Sequence, residues 1–292
     1  MQASFKTIAL IGKHEDPHIG STLQKLAAFL KQQALEIILD EDTARVIPSL
    51  GLESGNRKFI GERCDLAIVV GGDGTLLNAA RTLADYDVPV VGVHLGRLGF
   101  LADITPDVMI QNIEEILSGH YIEETRFLLH AIIERDGSEI GESDALNDVV
   151  VHKWNVARMI ELETYINDNF VSTERSDGLI VATPTGSTAY ALSGGGPILH
   201  PNLNAILLVP ISPHTLSHRP IVVDGESKIE VVCSDSNREQ VQVTCDGQIS
   251  FGLEPGDRVV IRKKEKTVRL IHPVYHDHYE ILRAKLHWSE NP

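Results

Sequence analysis

Between residues 66 and 75 an unbroken apolar run, Leu66-Ala67-Ile68-Val69-Val70, passes directly into Gly71-Gly72-Asp73-Gly74-Thr75. Five consecutive strand-forming residues without polar alternation describe a strand buried on both faces, as in a parallel sheet covered by helices. The run ends in three glycines around one carboxylate, at the sheet edge where open α/β folds bind their ligands. Glycine carries no Cβ, so the backbone there is free to take unusual dihedrals and lay its N–H groups against a phosphate chain. A helix expected from about Thr75 adds the positive end of its dipole to that anion site. Asp73 then stands beside bound anions, where a carboxylate is repelled unless it holds a cation or accepts a proton, and that conflict of charge points to catalysis. The same residues also suit a plain strand-to-helix turn with Asp73 as its N-cap.

The surrounding sequence agrees with a parallel sheet. Apolar runs at 7–12, 35–39, 66–70 and 89–93 alternate with amphipathic stretches, the pattern of βαβ units. Leu23, Leu26, Ala27 and Leu30 place one apolar stripe on a helix between the first two strands. A later helix is expected to open at Thr105 as N-cap with Pro106 in its first turn, to run along Met109, Ile110, Ile113, Ile116 and Leu117, and to stop at Gly119. From about Arg126 the period changes to two, as in 159–166 and 229–232, so the second half reads as β-rich. Tyr279, Leu282 and Leu286 return to helical spacing, and a helix so short is stable only when docked. The expected organisation is therefore an α/β domain from residues 1–122 and 279–292, with a β-rich domain from 123–278.

Composition narrows the function. The 292 residues are 42% hydrophobic and 23% charged, the balance of a globular chain of about two domains. The net charge of −15 disfavours binding to nucleic acid or an anionic membrane through bulk positive charge. Three cysteines, Cys64, Cys233 and Cys245, lack zinc-site spacing and suit a reducing, cytoplasmic setting. The first apolar run, 8–11, is too short for a secretory signal, and no stretch approaches the roughly 18 apolar residues of a membrane span.

A second constellation follows another apolar strand. Arg175-Ser176-Asp177-Gly178 and Leu179–Ala182 lead into Thr183-Pro184-Thr185-Gly186-Ser187-Thr188-Ala189-Tyr190, with Ser193 and Gly194–Gly196 behind. Small residues and hydroxyls ending in an aromatic ring suit close wrapping of a nucleoside, and equally a Ser/Thr-rich surface loop. Asn147-Asp148 and Cys245-Asp246-Gly247-Gln248 sit beside strand-like residues and read first as turns. His272, His276 and His278 show no partner ligand in the sequence, so a solvated tail is the expected reading and no protein metal ligand is assigned. No P-loop or GxGxxG is present.

With these residues in view, the chain resembles the NAD kinase family over nearly its whole length. The resemblance rests on GGDGT at 71–75, HLGRLGFL at 94–101, Asn147-Asp148, Arg175–Gly178, TPTGSTAY at 183–190 and GGGPI at 194–198. GGDG alone occurs in lipid kinases and phosphofructokinases, whereas TPTGSTAY behind it is specific. The resemblance implies a Rossmann-like N-terminal domain, a β-sandwich-like C-terminal domain and a C-terminal segment that returns to the first. It implies ATP-dependent phosphorylation of the adenosine ribose 2′-hydroxyl of NAD with a divalent cation such as Mg²⁺. It also implies a homodimer or homotetramer, with NAD bound partly across a subunit interface. Asp73 then corresponds to the catalytic base or orienting carboxylate, with Gly74 beside it at the nucleotide. Asn147, Asp148, Arg158, Arg175, Asp177, Thr188, Ala189, Tyr190, Ala191, Leu192, Ser193 and Gln248 fall where the family contacts NAD. The alternatives are a lipid or sugar kinase sharing GGDG, which leaves 183–190 unexplained, and a non-catalytic NAD-sensing module, which has no need of Asp73.

Overall fold

The computed structural model describes residues 5–12, 19–47, 50–96, 99–154, 158–215 and 217–288. The chain divides into two compact units, Met1–Thr125 with Lys266–Pro292, and Arg126–Glu265. It re-enters the first unit at Lys266, ahead of the expected 279. The reason is one long strand, β17 (Arg258–His272), which pairs through residues 258–261 with β14 (Ile229–Cys233) and through Leu270 and Ile271 with β5 (Val90–His94).

In the first unit five parallel strands lie in the order β5-β4-β1-β2-β3, where β1 is Thr7–Gly12, β2 Glu36–Asp40, β3 Glu53–Gly55 and β4 Leu66–Gly71. Both β1 and β4 are buried at every position, as their unbroken apolar runs require. The order reverses between β1 and β4, so GGDGT leaves the sheet at a topological switch point, where open α/β sheets form their ligand crevice. Helix α1 (Ile19–Gln32) buries Leu23, Leu26, Ala27 and Leu30 as its stripe dictates. The short helices α2 (Glu41–Val46) and α3 (Arg57–Arg63) are capped by the side chains of Asp40 and Asn56.

Two helices differ in detail from the sequence reading. Helix α5 spans Met109–Leu117 with Val108 as N-cap, one turn later than Thr105 suggests. The Thr105 hydroxyl is engaged by the Asp107 carboxylate instead of by a helical amide, and residues 106–108 form a turn. Helix α7 (His278–Leu286) is capped by Asp277, which accepts from Tyr279 N at 2.8 Å and Glu280 N at 3.3 Å. It buries Ile281 and Leu282, while Tyr279 is 57% exposed, so the inward face is displaced by a residue or two from the 279/282/286 stripe. The returning chain is tied to its own unit by Asn112 Nδ2 donating to Tyr275 Oη at 3.0 Å and by Lys285 Nζ 5.6 Å from the Phe100 ring centre.

The second unit is a sandwich of antiparallel strands. One sheet has the order β13-β12-β11-β8-β15-β16, with β8 Asp148–Lys153, β11 Gly178–Ala182, β12 Ala205–Ile211, β13 Ile221–Asp224, β15 Val241–Cys245 and β16 Ile249–Leu253. The facing layer contains β6 (Ile122–Arg135), its antiparallel partner β7 (Ser138–Ala145), β9 (Ile160–Ile166), β10 (Asn169–Ser176), β14 and the first part of β17. Between the layers lies one core in which Leu129, Val149, Val151, Leu162, Val181, Val231 and Ile261 are fully or almost fully buried. Among the described residues no helix is long and apolar enough to cross a membrane.

Candidate functional site

Strand β4 delivers the chain through Gly72, in extended backbone (φ −113°, ψ −177°), into helix α4 (Asp73–Leu83). Gly72 is therefore the N-cap and Asp73 the first helical residue, so the capping role considered for Asp73 is not the one it plays. Its half-buried carboxylate turns to a neighbouring loop, accepting from Phe100 N at 2.8 Å on Oδ2 and from Leu101 N at 3.3 Å on Oδ1. Each oxygen keeps a further lone pair after these bonds. Gly99 makes the approach possible: a Cβ built there would stand 2.0 Å from Asp73 Oδ1. Gly74 is exposed in the same first helical turn, where the amide dipoles favour an anion. Arg97 and Leu98 of the HLGRLGFL motif lie outside the described residues.

In the second unit the antiparallel pairing of β8 with β11 and β15 brings three chain segments to one sheet end. These are Asn147 and Asp148 entering β8, Thr183–Ser193 leaving β11, and Asp246–Gln248 leaving β15. Asp246 and Gly247 take left-handed backbone (φ +52° and +63°), the turn expected from the sequence. That turn also aims the Asp246 carboxylate at the amides of Leu146, Asn147 and Asp148, at 3.0, 2.7 and 3.3 Å. Thr183 clamps the other side, its Oγ1 donating to Leu146 O at 2.6 Å and accepting from Gly186 N at 3.1 Å. At Gly186 a Cβ would lie 2.0 Å from Asn147 O, so the hydroxyl-rich loop packs directly on the Asn147 backbone. Asp148 is buried, and its carboxyl is pushed up to about 7, chiefly by burial and then by the negative charge of Asp246. Sequence reasoning singled out Asp148 and missed the structural role of Asp246, whose partners lie about a hundred residues away.

The remaining residues distribute around this end. Thr188 Oγ1 donates to Thr185 O at 3.2 Å within a single 3₁₀ turn, Thr185–Thr188. Tyr190 opens the four-residue helix α6 (Tyr190–Ser193) and is 48% exposed, with its ring available for stacking, while Ala191 is buried behind it, Leu192 is half-buried and Ser193 is exposed. Ala189 is half-buried and Gln248 exposed. Asp177 is ion-paired with Lys153 at 2.5 Å. Arg158 and Arg175 line a separate open cavity of about 430 Å³ together with Glu161, Asn237 and Arg238. Arg238 is the cation that the motifs did not flag, since nothing in its local sequence sets it apart.

The histidines contradict the solvated-tail reading. The side chains of His272 and His276 are 2% and 6% exposed, with their Nδ1 atoms 3.0 and 2.7 Å from Asp103 Oδ2, and only His278 lies apart. Burial pushes the Asp103 carboxyl up, but the bonds from both histidines outweigh it and hold the group down at about 2. The partner was invisible in sequence because it stands 169 residues from His272.

Comparisons with known proteins match the whole chain. Residues 8–121 match the family model of the ATP-NAD kinase N-terminal domain, and residues 146–273 that of the ATP-NAD kinase C-terminal domain. The chain is 54% identical over 289 residues to an NAD kinase of Nitrosococcus oceani, covering 99% of each. It is 52% identical over 285 residues to an NAD kinase of Pseudomonas entomophila, covering 98% of this chain and 96% of the relative. Among solved structures, yeast NADH kinase complexed with NADH aligns with a TM-score of 0.90 at 25% identity, over 100% of this chain and 90% of that one. An NAD kinase from Archaeoglobus fulgidus in complex with ATP aligns with a TM-score of 0.74 at 26% identity, over 95% and 99%.

Proposed function

Because this chain belongs to the NAD kinase family, we propose that Asp73 is the carboxylate that accepts or orients the proton of the attacking hydroxyl. The protein is a phosphotransferase that converts NAD to NADP with ATP, and the attacking group is the 2′-hydroxyl of the adenosine ribose. A ribose hydroxyl is a poor nucleophile, and phosphoryl transfer depends mostly on positioning and on neutralising charge. The observation that carries the proposal is the anchoring of Asp73: two loop amides fix its carboxylate at the switch point while each oxygen keeps a lone pair for a hydroxyl. The first turn of α4, with Gly74, is the corresponding seat for phosphate.

The NAD-recognising residues are assigned to the second unit. Asn147, Asp148 and Gln248 share one sheet end and offer the amides and carboxylate that recognise ribose and nicotinamide. Thr188, Ala189, Tyr190, Ala191, Leu192 and Ser193 supply the wall against which the nucleoside packs, with the exposed Tyr190 ring as its stacking face. Arg158 and Arg175, sharing one cavity, suit anionic parts of the dinucleotide. Asp177 acts through its ion pair with Lys153.

A divalent cation, Mg²⁺, is assigned to the nucleotide. Among the described residues the one group of three metal-capable side chains pairs two imidazoles with a carboxylate, a poor set for an ion that prefers oxygen. Phosphate oxygens and water are assigned most of its ligands, and the ion, when bound, would neutralise phosphate charge. A homodimer or homotetramer is supported by apolar side chains exposed on the edge strands of the second unit, Phe170 on β10 and Ile221 and Val222 on β13. Burial of Cys64, Cys233 and Cys245 as thiols supports a reducing, cytoplasmic setting. The test of the reaction is ³¹P NMR of the purified protein with NAD, ATP and Mg²⁺. A new ribose 2′-phosphate resonance is expected, and transfer to any other hydroxyl, or none, overturns the assignment.

A further inference from the structure

We propose that the first unit carries a site for a divalent transition metal, with Asp103 and the Nδ1 atoms of His272 and His276 as ligands. Three donor atoms already converge there: Asp103 Oδ2 lies 3.0 Å from His272 Nδ1 and 2.7 Å from His276 Nδ1. The three donor atoms lie within 4.8 Å of one another, and metal–ligand bonds of about 2.1 Å set neighbouring ligand atoms roughly 3.0 to 3.4 Å apart, so Asp103 Oδ2 needs to draw away from each nitrogen by less than about an ångström. The side chains are more than nine-tenths buried, and Asp103 Oδ1 has no hydrogen-bond partner, leaving the carboxylate a second oxygen for the ion.

The surroundings are those of a metal-bound histidine pair. A ligating imidazole ordinarily turns its other ring nitrogen to a carboxylate, which fixes the tautomer and raises the basicity of the bound nitrogen. Here both Nε2 atoms are buried without a hydrogen-bond partner and face Glu124, whose oxygens stand 3.7 Å from His272 Nε2 and 3.8 Å from His276 Nε2. A cation at Nδ1 replaces the proton there and leaves the ring proton on Nε2, directed at Glu124. The two rings lie face to face with centres 3.9 Å apart, so both nitrogens are presented to the same side. An open cavity of about 210 Å³, lined by Asp103, Tyr275, His276 and Asp277, gives an ion a way in. Two imidazoles and a carboxylate select zinc, cobalt, nickel or iron over Mg²⁺, so this site is distinct from the cation that accompanies the nucleotide. Asp103 lies two residues beyond Leu101, whose amide holds Asp73, so an ion here ties that loop to the returning chain.

The test is a titration of the metal-stripped full-length protein with Co²⁺, free of nucleotide, read by visible absorption and by melting temperature. One Co²⁺ per chain is expected to bind saturably, produce d–d bands and raise the melting temperature by a few degrees, while Mg²⁺ at the same concentration does neither. His276→Ala is expected to abolish the bands and the shift, and His278→Ala, outside the cluster, to keep both. Absence of saturable binding in the wild type, an equal response to Mg²⁺, or bands that survive His276→Ala overturns the proposal. The wild-type titration decides the matter even where a variant folds poorly.

Discussion

At the scale of single residues, the proposed chemistry turns on where carboxylates are held. Gly99 leaves no room for a methyl group beside Asp73, and the atom in the way is the carboxylate itself, which can swing aside. Gly99→Ala is therefore expected to displace Asp73 and spare the fold. Turnover should fall by about 10²-fold, the size associated with misplacing a reacting group by an ångström, with the melting temperature nearly unchanged. A drop in melting temperature without a loss of turnover would show that the glycine serves packing alone. Asp148 gives a pH signature. Its carboxyl is raised from an ordinary 3.8 to about 7, so between those values the folded protein holds a proton that the unfolded chain has released. The protonated group thus stabilises the fold fully at acid pH, and that contribution is lost as pH rises through about 7. Calorimetry should find Asp148→Asn gaining stability relative to wild type between pH 5 and pH 8, and a constant difference would refute the shift. In the same site, Tyr190→Ala should weaken NAD binding by about 1 kcal/mol and leave ATP binding alone, measured by calorimetric titration of each nucleotide.

At the scale of elements, legibility followed the range of the interaction. Strand β4 and the Leu23/Leu26/Ala27/Leu30 stripe were plain in the sequence because each is fixed by its own residues and one buried environment. The start of α5 was not, because Thr105 had two hydrogen-bond options and Asp107, two residues on, took the hydroxyl. For α7 the spacing identified a helix, but its surroundings are set by residues far away in sequence, such as Phe100 beside Lys285. Ile281 and Leu282 are its buried anchors, together worth about 3 kcal/mol or more of apolar burial. Deleting residues 279–292 should lower the melting temperature by about 5 °C or more, read by scanning calorimetry. An unchanged transition would mean that the helix adds nothing to its unit.

At the scale of the whole molecule, the division into an α/β unit and a β-rich unit was visible as a change of hydrophobic period near Arg126, and the motif order identified the family. What stayed hidden were side-chain pairings that cross the chain. Asp246 beneath the amides of 146–148, and Asp103 between His272 and His276, each join segments about a hundred residues apart or more. Such partners leave no local spacing to read, and only the closed fold creates them. The lipid- or sugar-kinase and sensing-module alternatives fall away because the relatives that match over the full length are NAD kinases. The proposed division of labour is that Asp73 serves the chemistry and the sheet end around Asp148 serves NAD. Its most direct test is Asp73→Asn, which keeps the side chain's shape and removes the basic oxygen, assayed for kcat alongside the Kd for NAD. The expected result is a loss of about 10² to 10⁴ in kcat with the Kd within about threefold of wild type. Near wild-type kcat, or a Kd that rises as far as kcat falls, would contradict it.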